Sequence, residues 1–341
     1  MRIRLLIATA DLGYGEHLSN FLSEKFRDAF EVTLCTSANC SDTMHSSYKY
    51  DVALLDPDLV DEVDLSAIHL PLLLWSDNDN YTEKADDLVK IRKYQRISSL
   101  TGDVLESLSK VSKNGSIADF GKSTVTAVWS PSGGVGKTSV AIAYASQKAL
   151  AGKDVLYLNL ESFSSTPAYF PVSGKSISAI FDMLENNDGN IRVLARGMYL
   201  KDSVSGISYF NIPDNYDDIN ILSVENTATL VSACRVMADE LVIDMSCACN
   251  MRAWQIFEQT DKVLLVTDRT KTAQVKLQQF MSQHNIFEKI KSKTILVANK
   301  NAKITEQFAA SSLSLPFVDS DDEIAVYKEL STYSFDLPYE S

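Results

Sequence analysis

The chain has 341 residues, 32 of them Lys or Arg and 45 Asp or Glu, a formal net charge of −13. That acidity repels phosphate backbones and no run of Lys or Arg offsets it, so broad nucleic-acid binding is disfavoured. No apolar run reaches the roughly 18–20 residues that span a bilayer, which argues against direct membrane insertion, and this length makes two domains the expectation.

In chain order, the apolar start Met1–Ile7 is too short for a signal peptide and reads as a first strand, with the cytoplasm as the expected compartment. Strand patterns lie at Ile3–Ala8, Val32–Thr36, Asp51–Leu55 and Leu70–Trp75. Helical spacing runs from Glu16 to Phe26, with Leu18, Phe21, Leu22 and Phe26 on one face, and again over Gly102–Val111. Strands alternating with helices predict an α/β fold with a mostly parallel sheet. The polar, turn-rich stretch Ser112–Asp119 marks a linker, placed at 112–122 between a first domain at 1–111 and a second at 123–341. Five cysteines form no paired framework, which suits a reducing interior. Cys247 and Cys249 stand as C-x-C without a second Cys/His pair, so they read as buried thiols rather than metal ligands.

The second half opens on the apolar run Val125–Trp129, followed by Ser130-Pro131-Ser132-Gly133-Gly134-Val135-Gly136-Lys137-Thr138-Ser139 and then a helical pattern over Val140–Leu150. Strand, glycine-rich turn, Lys-Thr and helix make a phosphate-binding loop. Glycines let several backbone N–H groups converge on one anion, and the helix N-terminus adds positive potential. Gly133, Gly134, Val135, Gly136, Lys137, Thr138 and Ser139 are therefore the candidate nucleotide-binding residues, with Lys137 on the β- and γ-phosphates and the Thr138 hydroxyl on Mg²⁺. The alternative is a glycine turn beside a surface lysine. Further strands are expected at Val155–Glu161, Ile207–Ile212, Ile219–Ser223, Leu241–Asp244, Lys262–Val266 and Thr294–Ala298. Asp244, closing an apolar strand, is a candidate Mg²⁺ carboxylate, against the alternative of a solvated strand-end aspartate.

Asp56, at the end of the third strand pattern, lets the first half resemble a flavodoxin-like receiver domain, in which such an aspartate is the phosphoacceptor. The matching positions for the receiver's hydroxyl residue and lysine are Ser76 and Lys93. The acidic pair that a receiver carries after strand one is replaced by Ala8-Thr9-Ala10-Asp11, which points to a degenerate receiver used for docking or self-association. From Gly133 to Thr138 and in its later strand order, the second half is similar to the deviant-Walker ATPases of the ParA/MinD group. That resemblance implies ATP and Mg²⁺ as cofactors, a homodimer, Lys137 and Glu161 as catalytic residues, and Asn299 as the reader of adenine. The alternative for Asn299 is a turn or cap residue. Ser132 stands where the group carries a lysine reaching into the partner's site, and Asn159 and Glu161 stand where it carries two aspartates.

The pairing of the two halves, with the strand ending Asn159-Leu160-Glu161, resembles the TadZ/CpaE family. The resemblance implies a cytoplasmic protein recruited to a cell pole, where pilus and secretion assembly proteins of the type IVb (Tad/Flp) system are its partners, with slow or absent hydrolysis. The main alternative is a ParA/MinD-type partitioning or placement ATPase with partner-stimulated hydrolysis. A phosphorylation-driven regulator, a P-loop reductase with a cluster and a tyrosine kinase each lack a residue set they require.

Overall fold

The structure, a computed structural model, describes residues 2–26, 30–36, 49–76, 85, 87–111, 123–186, 190–304, 308 and 311–335. The linker expected at 112–122 lies outside the described residues. Two compact units divide the chain: Met1–Ala118 with Asp188–Met198, and Asp119–Asn187 with Tyr199–Ser341. Among the described residues, no helix is long and apolar enough to cross a membrane.

In the first unit, strands β1 (Ile3–Ala8), β2 (Phe30–Cys35), β3 (Tyr50–Leu55), β4 (Ile68–Trp75) and β5 (Val89–Arg92) form one sheet in the order β2-β1-β3-β4-β5. Every pairing is parallel, and this is the flavodoxin-like order, whose switch point lies between β1 and β3. The middle strands are apolar on both faces, as parallel strands covered on both sides must be: Leu6, Ile7, Ala53, Leu54, Leu72 and Leu73 are fully buried. Asp11 caps the helix Leu12–Lys25 by accepting from the Tyr14 N–H. It is therefore held at the helix entrance, not on the sheet. Cys35 is disulfide-bonded, which corrects the reading that none of the cysteines is paired; a residue count carries no information on which thiols a fold brings within bonding reach.

The helix Ile191–Met198 comes from the second half of the sequence but belongs to the first unit, where it packs on the helix Ile97–Val111. Gly197 makes that packing close: a Cβ built there would lie 1.7 Å from Leu105 Cδ1.

The second unit carries an eight-stranded sheet. Its strands are β6 (Thr124–Trp129), β7 (Val155–Leu160), β8 (Leu200–Lys201), β9 (Ser208–Tyr209), β10 (Glu240–Met245), β11 (Lys262–Thr267), β12 (Thr294–Ala298) and β13 (Ser312–Ser314). Their order is β13-β12-β11-β6-β10-β7-β9-β8, parallel except for β8 against β9. β6 is central, and the helix Lys137–Leu150 that follows its loop starts three residues earlier than the apolar pattern suggests. Trp129 anchors one face, edge-on to Phe257 at 5.5 Å and to Phe280 at 4.8 Å between ring centroids.

Two expected strands are corrected here. Ile207–Ile212 contributes only Ser208–Tyr209 to the sheet, and Ile219–Ser223 is no strand. Asp218–Ile221 is a short helix, and Ser223 caps the next helix, Val224–Arg235, through the Asn226 N–H. Local hydrogen bonds from Asp, Asn and Ser outcompete strand pairing in that stretch. Replacing Gly197 by Ala should cost roughly 1–3 kcal/mol by overpacking against Leu105, read as a lower midpoint in urea unfolding.

Candidate nucleotide site

β10 lies between β6 and β7, so the sheet itself assembles the site. The register sets Asp244 beside Asn159 of β7, and Val242 beside Tyr157. Strand side chains repeat every second residue. Tyr157 and Asn159 therefore share the face of Asp244, and both donate to its Oδ2, from the phenol at 2.8 Å and the amide at 3.1 Å. Thr138, the second residue of the loop helix, donates its hydroxyl to the same oxygen at 2.7 Å. The other oxygen, Oδ1, is buried and has no partner.

Burial pushes the Asp244 carboxyl up to about 6, aided by the negative Glu161 and opposed by Thr138, Tyr157 and Lys137. The Tyr157 phenol is driven well above its ordinary range by burial and by Asp244, so it stays a neutral donor. A saturated oxygen beside a bare buried one, next to a threonine hydroxyl, fits a hard divalent cation of the Mg²⁺ type. Thr138 and Asp244, both expected on Mg²⁺, thus stand together.

The loop has the conformation its glycines allow. Gly134 and Gly136 take φ of 72° and 89°, in the left-handed region. At Gly136 a Cβ would also meet Asn299 Nδ2 at 2.5 Å. That amide donates to the Val135 carbonyl at 2.9 Å, while Asn299 Oδ1 is buried without a partner. Asn299, expected at the base, braces the loop with its donor and keeps its acceptor free. Lys300 donates to the Gly134 carbonyl at 2.8 Å.

Lys137 lies with its ammonium 3.4 Å from Cys247 Sγ, to which it donates, and 3.6 Å from Glu161 Oε1. Ser139 meets the Tyr169 hydroxyl at 3.0 Å, and both reach Glu323 Oε2. Ser132 is 6% exposed, turned into the protein. A cleft of about 500 Å³ runs from Gly134, Lys137 and Thr138 past Glu161 to Phe317 and Glu323. The expectation that Cys247 and Cys249 are buried thiols is corrected: Cys249 is exposed, and Cys247 is partly exposed beside Lys137, because the stretch after Asp244 leaves the sheet. Tyr157, Tyr169, Cys247, Lys300 and Glu323 had not been singled out in this role. Tyr157 was legible, being two residues before Asn159 on one strand; Cys247 and Lys300 follow Asp244 and Asn299 closely in sequence, and Tyr169 and Glu323 arrive from distant segments.

The first unit has its own strand-end cluster. Asp56 follows β3 and is 4% exposed. It accepts from Thr9 Oγ1 at 2.6 Å and the Ala10 N–H at 3.0 Å, and Lys93 Nζ lies 2.8 Å from both of its oxygens. Lys93 in turn lies 5.3 Å from the ring centroids of Tyr14 and Tyr94. Asp11, the one carboxylate near the end of β1, is occupied by the Tyr14 N–H and the Tyr94 hydroxyl, which hold its carboxyl below the usual range. Lys93 meets Asp56 as the receiver pattern requires, but Thr9 takes the place of an acid.

No protein-family model and no curated protein matches the chain. Among solved structures, a ParA family ATPase from Chlorobium tepidum TLS matches with TM-score 0.52 at 17% identity, over 62% of this chain and 95% of that one. A putative plasmid partition protein from Borrelia burgdorferi B31, bound to AMPPNP, matches with TM-score 0.42 at 14% identity, over 62% and 97%. The septum site-determining protein MinD of Pyrococcus horikoshii OT3, complexed with Mg-ADP, matches with 0.43 at 13%, over 55% and 73%. The first of these shows that 62% of this chain has a fold similar to that of the ATPase it matches.

Two outcomes are expected. The Asp244 pKa is raised above its ordinary 3.8, so the group's contribution to stability is present below about pH 4 and lost as pH rises through about 6. Without metal or nucleotide, Asp244→Asn should therefore gain on the wild type by on the order of 3 kcal/mol between pH 4 and pH 7, read by urea unfolding at each pH. Asp56→Ala strands the buried Lys93 and should cost about 3–5 kcal/mol, most of it restored by adding Lys93→Met.

Proposed function

We propose that the second unit binds ATP with Mg²⁺ and that the protein is a ParA/MinD-type placement ATPase that holds its nucleotide far longer than it cleaves it. The observation that carries this reading is the bare, buried Asp244 Oδ1 beside the Thr138 hydroxyl, at the foot of a glycine loop whose two left-handed residues shape an anion cradle. Loop N–H groups and the N-terminus of the helix Lys137–Leu150 hold phosphate, and Lys137 leaves Cys247 and Glu161 to reach it. Thr138 and Asp244 hold the metal, which when bound neutralises charge on the phosphates.

Slow turnover follows from the side chains around that cradle. Asn159 donates to Asp244 and cannot take a proton from water. Glu161 is the carboxylate left to face an attacking water, and its side chain is one methylene longer than the aspartate it stands for. Ser132 supplies no cation to a partner's site. Loss of one such preorganised group costs roughly 10²–10³ in rate. A homodimer held by protein surface rather than by nucleotide fits the same lack of a crossing lysine.

At a finer level, we assign the protein to the positioning of a type IVb (Tad/Flp) pilus assembly machine. Support comes from the Asn159-Leu160-Glu161 strand and from a flavodoxin-order sheet preceding the nucleotide unit. In this reading the first unit docks or self-associates, and the Asp56–Lys93 pair is a finished ion pair rather than a phosphoacceptor site. The general placement reading stands on the ParA-type fold; the pilus reading stands on the sequence pattern alone.

Calorimetry with Mg-ATP is expected to show binding that Lys137→Ala abolishes, with turnover far below the roughly 1–10³ s⁻¹ usual for enzymes. Light scattering should give a dimer with and without ATP. Brisk hydrolysis abolished by Lys137→Ala, or a dimer seen only with ATP, would contradict the storage reading.

A further inference from the structure

We propose that Lys300 is the second cation of the nucleotide site, supplied from within the same chain and acting on the phosphate chain of the bound nucleotide. The inference rests on the nucleotide reading above and adds a residue to it. Of the side chains lining the cleft, the cations are Lys137 and Lys300, against the carboxylates of Glu161, Asp319, Asp321 and Glu323. Lys137 is already flanked by Cys247 and Glu161. Lys300 is not: among the described residues its ammonium has one partner, the Gly134 carbonyl at 2.8 Å. An ammonium has three donors, so two remain for a ligand.

The backbone at this point is informative. Lys300 and Asn301 take φ of 54° and 58°, two successive non-glycine residues in the left-handed region. Asparagine tolerates that conformation; lysine does so at a steric cost. The turn is held in place by the Asn299 N–H on the Thr267 carbonyl at 2.8 Å, the Asn301 N–H on the Leu315 carbonyl at 3.0 Å and the Ala302 N–H on the Asn299 carbonyl at 3.1 Å. Glycine would sit there without strain, so what lysine adds is its side chain. That side chain reaches back to the phosphate loop and lines the same cleft as Lys137 and Thr138, so its charge is available to a ligand held there.

The placement bears on Ser132. The crossing lysine of the resembling ATPases acts from a partner subunit, and here its position is a buried serine. Lys300 restores a second positive charge in cis, which favours holding nucleotide without requiring a partner's side chain. It is a positioning residue for the loop and a charge for the ligand, and the two roles separate experimentally.

The test measures Mg-ATP affinity by calorimetry from low to high salt, for the full-length wild type, Lys300→Gly and Lys300→Arg. Glycine removes the amine and relieves the backbone, so this variant is expected to keep its melting temperature. At low salt it should bind about tenfold more weakly, the weight of one charged hydrogen bond, and with a shallower salt dependence. Lys300→Arg should keep both the affinity and the slope. The proposal is overturned if Lys300→Gly binds like the wild type, or if it binds more weakly with an unchanged salt slope, which would make Lys300 a neutral brace. If the wild type binds no Mg-ATP, the nucleotide reading falls and this one with it; binding by the wild type that Lys300→Gly leaves intact sinks this proposal alone.

Discussion

A carboxylate buried in the middle of a parallel sheet organises the nucleotide unit. Asp244 lies one residue before the end of β10, paired on both sides by β6 and β7, and burial disfavours its charge. The fold answers with neutral donors, Thr138 from the loop helix and Tyr157 and Asn159 from β7, all on one oxygen. The carboxylate is thereby oriented without being neutralised. The second oxygen is left without a partner, and the loop beside it is propped by Asn299 and Lys300. Removing a donor would loosen the carboxylate; adding a fixed cation would close the site.

The first unit demonstrates the second case. Asp56 occupies the same kind of place, just past the end of a central parallel strand, where ligands of open α/β sheets gather. There the chain provides its own cation. Lys93 contacts both oxygens, Thr9 and Ala10 complete the shell, and Tyr14 and Tyr94 flank the ammonium. The result is an internally satisfied pair, whereas Asp244 is a partly satisfied one. Two strand-end aspartates in one chain thus differ in whether both carboxylate oxygens have partners.

Much of this was legible beforehand because it depends on local rules. The glycine spacing before Lys137 fixes the loop's conformation, and the apolar strand ending at Asp244 needs only period and burial to be read. The role of Asn159 was half legible. Its inability to accept a proton is a property of the amide, but its donation to Asp244 depends on a strand register that links residues 85 apart. Asn299 was placed correctly at a strand end, but its amide supports the loop, a contact that spans 164 positions. Lys300, Tyr169 and Glu323 left no local signal at all, since a lysine after a strand or a glutamate at a helix start is ordinary. The failed strand at Ile219–Ser223 has the opposite cause. Its apolar residues suggested pairing, and the turn bond from the Asp217 N–H to Asn215 and the cap at Ser223 prevailed.

In the proposed reading, this chain keeps a site that holds nucleotide and lacks the parts that would cut it. The most direct test of that reading is a crystal soaked with Mg-ATP for minutes and then frozen. The account predicts intact ATP, the metal on Thr138 and on the Asp244 oxygen that is bare here, Lys137 moved from Cys247 to the phosphates, and Asn159 still bonded to Asp244. Finding ADP in the cleft, or a metal held by residues other than Thr138 and Asp244, would contradict it.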